Sequence, residues 1–155
     1  MKYLLIRHAA TDANRLTRAL QGKHGAPLNE AGRKQAAKLK QELVKRGIDF
    51  SQPVAVSDFI RTQETARLAG FTDLNVNKII DEINTGDPKR TQEGVEQGKL
   101  PKEAIEAAQA ILRNLPEERI WVTHGLVIAA LLTALGQSDP EHFIPSQASI
   151  TEIEI

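Results

Sequence analysis

The chain has 155 residues, with 20 basic and 20 acidic side chains, no cysteine and a formal net charge of zero. That balance argues against a broad nucleic-acid or anionic-membrane surface but allows a local basic pocket, and the missing thiols exclude cysteine nucleophiles and Cys-based zinc sites. The length predicts one domain, residues 1–155, able to bury about 70% of the surface of its unfolded chain without a metal or disulfide staple.

Residues 2–6 read as a buried strand whose apolar run ends in Arg7-His8. Residues 29–46 predict an amphipathic helix: Asn29 is its cap, Ala36, Leu39 and Leu43 share a face, Lys45-Arg46 fill the last turn and Gly47 lies beyond. Residues 53–57 predict a second short strand, followed by a helix over 59–69 capped by Ser57 or Asp58. Arg61 then sits in the first helical turn, where the helix dipole favours an anion. Residues 75–80 predict a third strand ending in Asp81-Glu82, and the glycine-containing polar stretch 84–100 predicts a loop. A helix starts at Pro101 and is stopped by Pro116. Strand 119–123 ends in His124-Gly125, and helix 126–135 is ended by Gly136. The strictly alternating tail 149–155 predicts a strand with one solvated face near a sheet edge.

Strands interleaved with helices predict an α/β fold: a three-layer α/β/α sandwich with a mostly parallel, mixed central sheet and right-handed crossovers. In such sheets, residues just past the strand C-termini converge on one edge, where ligands bind. Arg7, His8, Arg61, Glu82 and His124 are therefore expected in one pocket. Taken singly, each has a plainer reading: a strand-end histidine satisfied by a carbonyl, a solvated arginine, a carboxylate paired with some lysine. Their order along the chain distinguishes the two.

The segments Leu5-Ile6-Arg7-His8 with Thr11 and Asn14, Pro27-Leu28-Asn29-Glu30-Ala31-Gly32 with Gln35-Ala36, Ser57 to Ala66, Glu82 with Gly86, and Val122-Thr123-His124-Gly125 together resemble the histidine phosphatase superfamily, the group that includes cofactor-dependent phosphoglycerate mutases. The resemblance runs from the first strand to the last long helix, in the family's order. It implies a mixed sheet with helices on both faces and a phosphohistidine formed on His8. It also implies that Arg7, Arg61, His124 and Asn14 hold the phosphoryl group and that Glu82 acts as the acid. Gln21 and Gly22, in the loop Gln21-Gly22-Lys23-His24-Gly25 at the expected pocket mouth, join the substrate-binding candidates, whereas His24 reads as a solvated loop residue. Ala9 and Ala10 stand where the family usually has Gly and often Glu. Gly25 stands where it commonly has an acidic residue two positions before the proline.

The chemistry agrees with this set. A phosphomonoester dianion repels nucleophiles, so its oxygens must be neutralised, the nucleophile held in line and the departing alkoxide protonated. Arg7 and Arg61 supply planar forked donors, and His8 as a neutral imidazole supplies the nitrogen nucleophile. The expected activity is metal-independent hydrolysis of small phosphomonoesters, with no cofactor, nucleic-acid or membrane partner. The alternatives are phosphoglycerate mutase-type transfer, a protein phosphohistidine phosphatase, or a pseudo-enzyme that only binds a phosphorylated ligand. Mutases of the family are usually longer, and the short span from Ala66 to Val122 leaves little material to close over the site, which favours attack by water. No secretory signal is read at the start of the chain. The longest apolar stretch, Leu126 to Leu135, is about half of the ~20 residues a span needs, so the expected location is cytoplasmic.

Overall fold

The computed structural model describes residues 1–12 and 25–155. Strand β1 (Lys2–Arg7) is followed by helix α1 (Glu30–Lys45), β2 (Val54–Val56), α2 (Ile60–Leu68) and β3 (Leu74–Val76). A short 3₁₀ turn (Lys78–Ile80), α3 (Pro88–Glu96), α4 (Lys102–Arg113), β4 (Ile120–Thr123), α5 (Gly125–Ala134) and β5 (Ile150–Glu154) complete the chain. The strands form one sheet in the order β3-β2-β4-β1-β5, parallel except for β5, which runs antiparallel along the outer side of β1.

The crossovers explain which face each helix covers. From β1 through β2 to β3 the chain steps in one direction across the sheet, and from β3 through β4 to β5 it steps back. A right-handed connection places its helix on opposite faces for opposite directions. Accordingly Leu39 and Leu43 of α1 and Ala66 of α2 pack with Ile6, Val56 and Val122 on one face. On the other, Ala104, Ala108 and Ile111 of α4 and Ile128 and Leu131 of α5 pack with Leu5, Ala55 and Trp121. Alternation along the strands sends Leu5 and Ile6 to opposite layers, which is the three-layer α/β/α sandwich with a mostly parallel, mixed sheet. Because β4 is inserted between β1 and β2, the chain leaves β1 and β4 toward opposite faces, opening a crevice at their C-terminal ends.

Helix α1 begins as its sequence predicts: the Asn29 side chain accepts from the Gly32 N–H (2.7 Å). Gly32 is required for another reason, since a Cβ there would collide with the Ala10 carbonyl oxygen. In the same contact the Asn29 N–H donates to Ala10 O (3.1 Å) and the Gln35 side chain accepts from the Ala10 N–H (2.9 Å). The Pro27–Gln35 segment therefore clamps the backbone just past His8.

Three expectations are corrected. The strand over 75–80 stops at Val76, because Asn77 turns the chain by accepting from the Ile79 N–H (3.1 Å) and Ile80 is buried in a 3₁₀ turn instead. The stretch 84–100 contains α3, capped by Asp87, which accepts from the Arg90 N–H (3.0 Å), with Pro88 in its first turn. Its buried face is reduced to Thr91, so no apolar stripe announced it. Neither Ser57 nor Asp58 caps α2: Phe59 occupies that position without a side-chain cap bond. Ser57 is engaged by His124 instead. Among the described residues, no helix is long and apolar enough to cross a membrane.

Candidate active site

Three parallel strands end side by side. Arg7 on β1 is in register with Thr123 on β4, and Val56 on β2 with Val122. The His8 N–H donates to Thr123 O (3.0 Å) and the Ser57 N–H to Val122 O (3.3 Å). His8, His124 and Ser57 thus leave the sheet at one edge. A cavity of about 620 Å³ lies there, bordered by Arg7, His8, Arg61 and Glu82. His124 is fully buried beside them, its ring 5.3 Å from that of His8.

Two bonds define the state of His8. Its Nδ1 lies 2.7 Å from the Ala9 carbonyl, which only accepts, so Nδ1 carries the proton. Arg61 Nε donates to Nε2 at 3.2 Å, so Nε2 presents its lone pair. Burial above all, then the electrostatic influence of His124 and Arg61 and, more weakly, Arg7, hold the imidazole well below the usual histidine range, against the pull of the Ala9 carbonyl. His8 is therefore a neutral imidazole at neutral pH with a defined nucleophilic atom.

Arg61 is the hub. The residue is only 1% exposed, its Nη2 donates to Glu82 Oε2 (3.2 Å) and lies 3.3 Å from His124 Nδ1, and its guanidinium rests on the Phe59 ring (4.6 Å). A guanidinium so deeply buried costs several kcal/mol unless it is paired, and Glu82 offsets that cost. Glu82 also lies 3.6 Å from His124 Nδ1. It reaches this point from the 3₁₀ turn and not from a strand end. Thr123 Oγ1 donates to Ile80 O (2.6 Å) and Asp81 accepts from the Asp58 N–H (2.7 Å), which ties the turn to β4 and to the approach to α2. Arg7 is anchored through Nη1 to Pro145 O (2.7 Å).

The orientation of His124 comes from Thr62, to which the sequence assigned no role, and from Ser57, which it assigned only as a helix cap. Thr62 Oγ1 donates to backbone carbonyls of Phe59 (2.9 Å) and Ser57 (3.1 Å). Its lone pair is left to accept from Ser57 Oγ at 2.8 Å. Ser57 Oγ in turn accepts from His124 Nε2 (2.8 Å), which leaves Nδ1 facing Arg61 and Glu82. Thr65 does a similar task for His8: its hydroxyl donates to Arg61 O (2.7 Å) and accepts from the Ala9 N–H (3.0 Å), joining α2 to the β1 exit. Hydroxyls spaced at 57, 62 and 65 around Arg61 were the available signal, but serine and threonine at a helix start read first as caps.

The two departures from the family pattern differ in kind. Ala9 is fully buried and is not among the described residues with positive φ, so no glycine is needed there. Gly25 has φ +69° and its absent Cβ would lie 2.6 Å from Arg61 Nη1. The structure brings together Arg7, His8, Arg61, Glu82 and His124; Asn14, Gln21, Gly22 and His24 lie outside the described residues.

An imidazole with a directed lone pair and two arginines at the switch point of a parallel sheet make a pocket suited to an anion undergoing nucleophilic attack. Residues 3–104 match the model of the histidine phosphatase superfamily, branch 1, and the chain belongs to that family. No curated protein matches the chain by sequence. Among solved structures, it is similar to a phosphoglycerate mutase from Thermus thermophilus, with 29% identity, TM-score 0.71, and 99% of this chain and 93% of that chain covered. TTHB049 from the same organism is similar at 28% identity, with the same TM-score and coverage. The Mycobacterium tuberculosis open reading frame Rv3214, at 24% identity, TM-score 0.65, and 99% and 91% coverage, shares the fold.

Proposed function

We propose that the protein is a metal-independent phosphatase that hydrolyses small phosphomonoesters through a phosphohistidine on His8. The observation that supports this reading best is the His8 tautomer: a buried neutral imidazole with its Nε2 lone pair directed at Arg61. An incoming phosphoryl group takes over the Arg61 donors and frees that lone pair. Nε2 then forms the N–P bond as the P–O ester bond breaks, and Glu82, displaced from Arg61 by the phosphoryl group and carrying a proton into the step, gives it to the departing alkoxide. Water attacks phosphorus in the second step, the N–P bond breaks, and the Glu82 carboxylate takes the water proton. Arg7 and Arg61 hold the equatorial oxygens throughout; His124 joins them through Nδ1 when that nitrogen carries a proton, and Asn14, Gln21 and Gly22 are further substrate contacts. The physiological partner is a small phosphorylated metabolite, and the protein acts in the cytoplasm.

The likeness to a phosphoglycerate mutase favours a second reading, in which the phosphoryl group returns to another hydroxyl of the substrate. One experiment separates them. The protein is incubated with a monophosphate, quenched in alkali and mapped by mass spectrometry, while phosphate release is followed with and without EDTA and a bisphosphate primer. The phosphatase reading expects label on His8, release without primer, and no effect of chelator. His8→Ala should lower turnover by about 10⁴-fold or more. Primer-dependent isomerisation of 3-phosphoglycerate, faster than phosphate release, would overturn it in favour of the mutase.

A further inference from the structure

The cavity has two unlike ends. Arg7, His8, Arg61 and Glu82 crowd the inner one, but about 620 Å³ is far more than a phosphoryl group fills and falls within the range of organic-ligand pockets, about 300–1,000 Å³. The remaining border includes Ile83 after the 3₁₀ turn, Val95 on α3, Leu126 at the start of α5 and Ile144 in the approach to β5. All four are half-buried, and Val95 and Ile144 belong to neither core cluster. Ile83 and Leu126 also back onto the core, but all four border the concavity from separate elements, and an aliphatic border of this kind is a surface shaped for an apolar ligand.

Among the described residues, the charge on the same border favours a tail without anions. The cations among the described lining residues are Arg7 and Arg61, both at the inner end, whereas Asp81 adds a carboxylate two positions from Ile83. The neighbouring hydroxyls of Thr85 and Thr91 bond to each other, and Thr91 donates to Asp87 O (2.9 Å). They form a neutral rim with little donor capacity left over.

We infer that the site takes monophosphate esters of uncharged, mainly apolar alcohols, whose organic part lies on Ile83, Val95, Leu126 and Ile144. This rests on the phosphomonoester reading above and narrows it: a second phosphate or a carboxylate on the alcohol counts against a substrate.

The test uses the intact protein and the n-alkylphosphonates from methyl to hexyl, which cannot be hydrolysed, with binding measured by calorimetry. A fully buried methylene tightens binding about fourfold. For a half-open wall the expected gain from methyl to hexyl is more than tenfold. Butylphosphonate should also bind more than tenfold tighter than 3-phosphonopropionate, which carries a carboxylate at similar length. Val95→Ser and Ile83→Ser, each checked for folding by thermal unfolding, should flatten the chain-length series. A flat series in the wild type, or preference for 3-phosphonopropionate, would overturn the inference. Hydrolysis of the matching alkyl phosphates is read separately. Phosphate release with a flat phosphonate series overturns the wall alone, and a steep series without release overturns the phosphatase reading alone.

Discussion

The inner end of the cavity and its outer wall are built on different principles. At the inner end, His8, Arg61 and His124 are almost fully buried, and each is held by bonds with defined donors and acceptors. The outer wall takes Ile83 and Val95 from the turn at 81–87 and from α3, a helix that buries Thr91 but presents no apolar stripe to the core, and Leu126 and Ile144 from α5 and the approach to β5. A group that must hold a lone pair or a charge in place needs a rigid, desolvated frame. A surface that only has to exclude water from an alkyl or aromatic group does not. On the proposed reading, chemistry belongs to the strand ends, and the choice of substrate to a wall that the 81–87 turn and α3 share with α5 and the approach to β5.

Glu82 sits where the two regions meet, so its removal should have the largest effect that depends on substrate. Glu82→Gln is expected to slow phosphoenzyme formation from an alkyl phosphate by about 10²–10⁴-fold, the range for a positioned acid. With p-nitrophenyl phosphate the loss should be much smaller, because that leaving group needs little protonation. Single-turnover rates for both substrates decide it. Equal losses would make Glu82 a partner that holds Arg61 and no more.

Next in size is Gly25, which tests how tightly the inner end is built. A methyl group there would press on Arg61 Nη1 from a backbone at φ +69°. Gly25→Ala should lower kcat/KM by about 10²-fold, the cost of displacing a positioned group by roughly 1 Å. Ala9→Gly, the reverse kind of change at the other departure from the family pattern, should alter kcat/KM less than about threefold because Ala9 is not held at positive φ. If both variants behave alike, the rigidity attributed to Arg61 is wrong.

How much could be read from the sequence follows the same division. β1, β4 and the Asn29 cap were legible because an apolar run or a cap residue acts locally, and the convergence of Arg7, His8, Arg61 and His124 followed from the geometry of parallel strands, whereas Glu82 arrives there by a 3₁₀ turn in place of the expected strand end. What escaped was the hydroxyl relay Thr62-Ser57-His124, since Ser57 and His124 are 67 positions apart and close only once β2 lies beside β4. The 3₁₀ turn escaped because Ile79 and Ile80 look the same in a strand. α3 escaped because periodicity reports burial, and this helix buries little.

The buried state of His8 also has a consequence for stability. Its folded-state proton affinity is lowered, so between that lowered value and the ordinary histidine value near 6.5 the unfolded chain binds more protons than the folded one. Stability from this group is complete above about pH 6.5 and declines as the pH falls below it. Thermal unfolding at about pH 7.5 and about pH 5, on either side of that value, should show a larger loss of Tm on acidification in the wild type than in His8→Gln. An identical loss would mean that His8 is not buried neutral.

The smallest effect is expected at Asp87, and it examines the independence of the two regions most directly. Asp87 caps α3 by accepting from the Arg90 N–H (3.0 Å) and is itself exposed and outside the cavity lining. Removing the cap with Asp87→Ala should cost about 1 kcal/mol of local helix stability. Amide exchange over residues 88–96 should then accelerate by about fivefold, while exchange in β1 and β4 stays within error because those strands open only with the whole fold. Since α3 carries Val95, the same variant should weaken hexylphosphonate binding more than methylphosphonate binding. If β1 and β4 exchange faster as well, or if both phosphonates lose affinity equally, α3 is coupled to the histidine end and the two regions act as one unit.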